Sequence, residues 1–233
     1  MTGTAALDWQ SIDTVLLDMD GTLLDLHFDN YFWQEHLPRR YGEQHGLSPE
    51  QARMHLQPCF AATAGTLEWY CIDYWSRTLA LDIAPLKEEV THLIGLRPHV
   101  SEFLNALRQA GKRRVLVTNA HQLSLALKMK HTQLDAHLDT VICAHELGLP
   151  KEASGFWQRL QGIDAYDPQH TLLIDDNLAA LRSAAAHGCT YLLAVQKPDS
   201  RRQAQEVGEF PALGSFHELL ADIPVNKPSA QRP

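Results

Sequence analysis

Two acidic pairs stand directly after short apolar runs. Asp18 and Asp20, in Asp18-Met19-Asp20-Gly21-Thr22, follow Val15-Leu16-Leu17, and Asp175-Asp176 follow Leu172-Leu173-Ile174. Carboxylates at i and i+2 beyond a strand end can point the same way, into a crevice at the carboxyl edge of a parallel sheet. Like charges held together need compensation, and a divalent cation supplies it. Mg2+ takes oxygen ligands and keeps several waters, so it suits phosphate bound at such a place. Gly21 lets the chain turn where a Cβ would obstruct it. The competing readings are an acidic Asp-Gly turn for the first pair and, for the second, the N-cap of a following helix opened by Asp175 or Asp176.

Two further signals sit in comparable places. Thr118-Asn119 follows the apolar run Arg114–Val117. A hydroxyl and an amide there can donate hydrogen bonds to a phosphoryl oxygen, although either residue is also an ordinary helix N-cap. Lys151 follows Gly148-Leu149-Pro150. Its ammonium could neutralise a phosphate and a carboxylate together, although a lone lysine in a loop is commonly solvated.

These residues need elements to position them. Runs at Thr14–Leu17, Arg114–Val117, Thr140–Cys143, Thr171–Ile174 and Thr190–Val195 are apolar throughout, the pattern of strands buried on both faces. Helical patterns lie between them at Val100–Gln109, Leu123–Thr132 and Asn177–His187, with Gly111 and Gly188 where two should stop. The alternation predicts an α/β fold with a doubly wound, Rossmann-like parallel-sheet core. Residues 25–95 break it, offering only helical patterns and 10 of the 18 aromatics. The expected organisation is a core from residues 1–24 and 96–225, an inserted small helical cap at 25–95, and a disordered polar tail at 226–233. The cap aromatics form first of all a small core, with a minority free to line a pocket facing the main domain.

Composition excludes some functions. A net charge of −8 on 233 residues argues against nucleic acid or anionic membrane as partner. No apolar stretch approaches the ~20 residues of a membrane span, and Met1–Ile12 lacks the basic start and apolar centre of a signal peptide. Cys59, Cys71, Cys143 and Cys189 form no C-x-x-C pair and read as reduced thiols of a cytoplasmic protein. His27, His36, His45 and His55 match no metal-binding H-x-x-x-H spacing; His121, close behind Thr118-Asn119, is the histidine best placed to face a substrate.

Taken in order, acid pair, Thr/Asn, Lys and acid pair, the four signals resemble the four motifs of the haloacid dehalogenase-like phosphatases, over nearly the whole chain. The helical stretch after the first motif is similar to that family's small cap. The resemblance implies that Asp18 is the nucleophile and Asp20 the general acid, then base. It implies that Thr118 holds a phosphoryl oxygen and Lys151 steadies the charge. Mg2+ would be held by Asp18, the Asp20 backbone carbonyl and Asp176, with Asp175 a second or water-mediated ligand; which of the adjacent pair binds directly is left open. The chemistry is coherent, because a carboxylate nucleophile divides hydrolysis into two steps and one acid–base group can serve both.

A receiver domain also uses clustered aspartates, Thr and Lys. It would place Lys after its acidic residues and carry no cap in about 120 residues. Within the family, Asp20 favours phosphate-ester chemistry over dehalogenation, and a phosphatase or phosphomutase acting on small sugar phosphates is the alternative. At finer grain the runs Val15–Leu26, Phe28–Trp33, Trp69–Ser76, Thr118–His121, His131-Thr132 and Leu134–Asp139 are similar to the bacterial GMP/IMP nucleotidase branch. That resemblance implies a small phosphorylated substrate, a purine 5′-mononucleotide, hydrolysed to the nucleoside.

Overall fold

The computed structural model describes residues 7–224, so the segment 226–233 read as a disordered tail lies outside the described residues. Six parallel strands form one sheet in the order β3-β2-β1-β4-β5-β6. They are β1 (Thr14–Leu17), β2 (Arg113–Thr118), β3 (Thr140–Cys143), β4 (Thr171–Asp175), β5 (Tyr191–Val195) and β6 (Ala212–Leu213). The first five are the apolar runs of the sequence. β6 escaped the pattern because two residues cannot establish a period. Two strands run one residue further than their apolar runs indicate, so Thr118 and Asp175 are the last residues of β2 and β4 rather than the residues after them.

Helices α1 (His27–Tyr31), α2 (Leu37–His45), α3 (Pro49–Thr63), α4 (Ile72–Leu79) and α5 (Ile83–Glu88) follow β1 and form the helical insert. A π-helical turn, Phe32–His36, joins α1 to α2. Its physical reason is Pro38, which has no N–H to give the carbonyl one turn back. The core resumes with α6 (Val100–Gln109), α7 (Gln122–Thr132), α8 (Ala144–Leu147), α9 (Phe156–Ile163), α10 (Leu178–His187) and α11 (His217–Leu220). The N-caps of α7 and α10 are His121 and Asn177, whose side chains accept from Leu123 N and Ala179 N. The capping alternatives for Thr118, Asn119, Asp175 and Asp176 therefore fall away.

Strand alternation assigns the two faces. Val15, Leu17, Leu116, Leu172 and Ile174 pack against Phe103, Leu104 and Leu107 of α6 and Leu219 of α11. Leu16, Val115, Val117 and Leu173 pack instead against α9 and α10, through Phe156, Trp157, Leu160, Leu181 and Ala184. The insert has its own core, in which Phe28, Phe32, Leu56, Ile72 and Trp75 are buried together. Trp75 stands edge-on to Phe60 at 5.1 Å, and its Nε1 donates to Trp69 O at 2.9 Å. Most cap aromatics are thus packing residues.

The strand order reverses between β1 and β4. Leu17 lies opposite both Leu116 and Ile174, so the carboxyl ends of β1, β2 and β4 are level. A ligand crevice in an open α/β sheet opens at such a switch point. Leu173, on central β4, is fully buried. Truncating it in Leu173→Ala is expected to cost about 2–5 kcal/mol of unfolding free energy, measured by urea denaturation.

Candidate active site

The switch point gathers the residues that the sequence singled out. Asp18 continues β1, and its backbone N–H still bonds the Ile174 carbonyl at 3.0 Å. Lys151, from the loop after α8, lies between β1 and β4: its Nζ donates to Asp18 Oδ1 at 2.5 Å and to Asp175 Oδ2 at 2.6 Å. It is only 2% exposed, so it is not a solvated loop lysine. Burial opposes its charge, but Asp175 and Asp18 outweigh that and hold its pKa above the ordinary lysine range. Burial, with the Asp175 charge adding to it, pushes Asp18 up to about 6 even though Lys151 pulls the other way.

The two neighbouring aspartates differ. Asp175 has both oxygens engaged, Oδ2 by Lys151 and Oδ1 by the Asn177 backbone N–H at 2.9 Å. Burial and the charges of Asp18 and Asp175 hold Asp176 well above the usual carboxylate range. Asp18 Oδ2 is buried with no hydrogen-bond partner. Oxygens of Asp18, Asp175 and Asp176 lie within 4.8 Å of one another. An orphaned carboxylate oxygen beside a strained acidic cluster is the environment that a hard divalent cation satisfies, so the donor set fits Mg2+.

Asp20 faces a second network. Its carboxylate accepts from Lys128 Nζ at 2.6 Å, and Lys128 also donates to Asp29 of the cap at 2.6 Å. Lys87, likewise from the cap, donates to the other Asp29 oxygen at 2.7 Å. Burial pushes Asp20 up to about 6, against the pull of Lys128. For Asp29 burial also pushes upward, but Lys128 and Lys87 outweigh it and its pKa falls. Neither lysine was singled out in the sequence, where Lys128 lies within an ordinary helical pattern.

Thr118 ends β2, and its Oγ1 accepts from Ala120 N at 3.1 Å. Asn119 is turned toward the loop: its Oδ1 accepts from Lys151 N at 2.9 Å and its Nδ2 donates to Glu152 at 2.9 Å. Glu152 also accepts from Asn177 Nδ2 at 2.6 Å and from the hydroxyl of Tyr70, a cap residue, at 2.7 Å. One carboxylate therefore ties three motif loops and the cap together. Its only signal in the sequence was adjacency to Lys151.

Cap and core enclose a cavity of about 530 Å³. Asp18, Asp20, Thr118, Lys151, Asp175 and Asp176 line its floor, and Trp33, Phe60, Trp69 and Tyr70 stand on the cap side. His121 also lines it. Around it lie five carboxylates, of Asp18, Asp20, Asp29, Asp175 and Asp176, against the three ammonium groups of Lys87, Lys128 and Lys151. An anionic substrate enters such a site only with further positive charge, which again calls for a cation.

Residues 12–188 match the family model of haloacid dehalogenase-like hydrolases. The chain belongs to that family and is an enzyme of its phosphatase class. Among its relatives is the GMP/IMP nucleotidase YrfG of Escherichia coli (strain K12), 43% identical over 215 residues that cover 92% of this chain and 97% of that protein. The protein of the same name from Shigella flexneri matches equally. Solved structures share the fold at lower identity. The HAD phosphatase of Thermococcus onnurineus is 20% identical with a TM-score of 0.72, covering 89% of this chain and 96% of that one. CbbY of Rhodobacter sphaeroides in complex with phosphate is 20% identical with a TM-score of 0.62, covering 91% and 99%.

Two substitutions probe this geometry. Gly21 has φ +90°, and a Cβ there would stand 2.4 Å from Asp176 Oδ2. Gly21→Ala is expected to displace that carboxylate and lower kcat on an aryl phosphate by about 100-fold with an unchanged far-ultraviolet circular dichroism spectrum. Lys128→Met leaves the half-buried carboxylates of Asp20 and Asp29 facing each other without their shared, fully buried cation. It is expected to cost about 3–5 kcal/mol in urea denaturation.

Proposed function

We propose that this protein is a Mg2+-dependent phosphate-monoester hydrolase that works through an aspartyl phosphate on Asp18 and acts on purine 5′-mononucleotides such as GMP and IMP. The observation that carries the chemistry is the divided state of Asp18. One oxygen is held by Lys151 and the other is buried, unpartnered and part of the cavity floor. A nucleophile with one oxygen positioned by an ammonium and the other left to a cation suits in-line attack on phosphorus.

The Lys151-held oxygen of Asp18, Oδ1, forms the new bond to phosphorus while the bond to the ester oxygen breaks. Asp20, its pKa pushed up to about 6 by burial, is suited to give the departing oxygen a proton near neutral pH. In the second step the same carboxylate takes a proton from water as the water attacks phosphorus, and Asp18 is released. Lys151 offsets the charge on Asp18 throughout, and Thr118 and the Asn119 loop border the phosphoryl oxygens. Asp18 Oδ2, the Asp20 backbone carbonyl and Asp176 would hold Mg2+, with Asp175 outside that set because Lys151 and Asn177 already engage both its oxygens. Bound there, Mg2+ would supply positive charge against the phosphoryl oxygens.

The substrate assignment rests on the relatives' names and on the cavity. A volume of about 530 Å³ with an indole and phenyl wall opposite the acidic floor suits a phosphate at one end and a flat base at the other. A panel of phosphorylated metabolites with Mg2+ tests it. GMP and IMP are expected to turn over fastest, EDTA to abolish turnover, and Asp18→Asn to lower it by roughly a thousandfold or more. Faster hydrolysis of sugar phosphates would overturn the substrate reading, and an active Asp18→Asn the mechanism.

A further inference from the structure

A second group of potential ligands lies beside the cavity, apart from the acidic floor. Cys71, His121 and His145 each place one ligand atom within 4.8 Å of the other two. They come from three segments: Cys71 from the cap turn that opens α4, His121 from the loop before α7, and His145 from α8 behind β3. The first belongs to the cap and the other two to the core.

Their bonding leaves them available. His145 Nε2 is buried with no partner, while the Asn119 backbone hydrogen-bonds the same ring. A metal-binding histidine commonly has that arrangement, one nitrogen fixed by a carbonyl and the other free to ligate. His121 makes one long bond, 3.4 Å from Leu123 N to its Nδ1; ligation through Nδ1 exchanges only that bond, and ligation through Nε2 keeps it. Cys71 Sγ accepts from Tyr74 N at 3.4 Å, an ordinary length for sulfur, and a ligating thiolate can keep that bond. A fourth donor is in reach, since Asp73 Oδ2 lies 3.7 Å from His121 Nε2.

One thiol and two imidazoles are a borderline-soft donor set. They select Zn2+ over the Mg2+ that suits the all-oxygen floor. Tetrahedral Zn2+ with bonds of about 2.0–2.3 Å needs its donors somewhat under 4 Å apart, so closure asks each side chain to move on the order of 1 Å. Ligation releases the thiol proton to solvent.

We propose that Cys71, His121 and His145 form a Zn2+ site that clamps the cap onto the core, and that Zn2+ bound there slows turnover. The clamp acts where Tyr70, next to Cys71, already meets Glu152 of the core. Substrate and product exchange through an enclosed cavity requires the cap to open, so a metal bridging its two sides inhibits without touching the reacting atoms.

The test uses the full chain with Mg2+ in saturating excess and Co2+ as the spectroscopic probe. The wild type is expected to give a near-ultraviolet thiolate-to-Co2+ charge-transfer band that Zn2+ displaces. The band should vanish in Cys71→Ala and in Cys71→Ser, which keeps an acceptor for Tyr74 N–H. In His145→Asn the apparent affinity should fall by about tenfold or more. With an aryl phosphate as substrate, Zn2+ should inhibit the wild type. The half-inhibiting concentration should rise by about tenfold or more in both Cys71→Ser and His145→Asn, with their Mg2+-dependent rates unchanged. A wild type without the band overturns the site. Inhibition of equal strength in the variants, as displacement of Mg2+ from the acidic floor would give, overturns the clamp.

Discussion

The constraint on which this molecule depends is like-charge crowding. Three aspartates, Asp18, Asp175 and Asp176, are brought to one edge of a sheet whose central strands, β1 and β4, are buried along their whole length. Carboxylates in such surroundings repel one another and resist ionisation. A single buried ammonium, Lys151, bridges two of them, and the parallel register that levels β1 with β4 makes the bridge possible. Much of the surrounding architecture holds that arrangement: Glu152 orients Asn119, Asn119 holds the Lys151 backbone, and Asn177 caps α10 while bonding Glu152.

The same logic governs the join between cap and core. A lid that excludes water has to bring its own compensation for the charges that it covers. Here Asp29 and Lys87 of the cap interleave with Lys128 and Asp20 of the core, so each charge meets an opposite one. The lysines also lie near aromatic faces, Lys87 4.8 Å from the Phe32 ring centroid and Lys128 5.2 Å from that of Phe28. The closed geometry is thus specified by paired charges as well as by apolar contact.

The parallel sheet was legible in the sequence because a strand covered on both faces must be apolar throughout, as Leu172-Leu173-Ile174 is. The insert was legible because Asp25–Gly95 contains no such run. Asp18, Asp20 and Thr118 were legible as candidates because each stands at or just past the end of a strand, where a side chain leaves the core and meets the crevice; Lys151, in the loop after α8, drew notice only as one of the four signals in order. What escaped is non-local. Lys128 has the spacing of a helix residue and nothing nearby to say that it is 1% exposed. Its partners, Asp20 and Asp29, are 108 and 99 residues away. Glu152 and Tyr70, 82 residues apart, gave no hint that they would meet. Asn119 drew attention for its amide, but that amide faces Glu152 and Lys151, a pairing visible only once the loop is folded.

The placement of β1 at the centre of the sheet has a consequence for how the molecule comes into being on the ribosome. β1 leads straight into Asp18, yet Lys151 lies 133 residues further along and Asp175 another 24 beyond that. β1 must wait, with its two edges and an apolar sequence exposed, while the insert is synthesised and can gather around its own aromatic core. At a translation rate of about 5–20 residues per second, that wait is on the order of ten seconds or more. The growing chain therefore acquires its lid before it acquires the site that the lid covers.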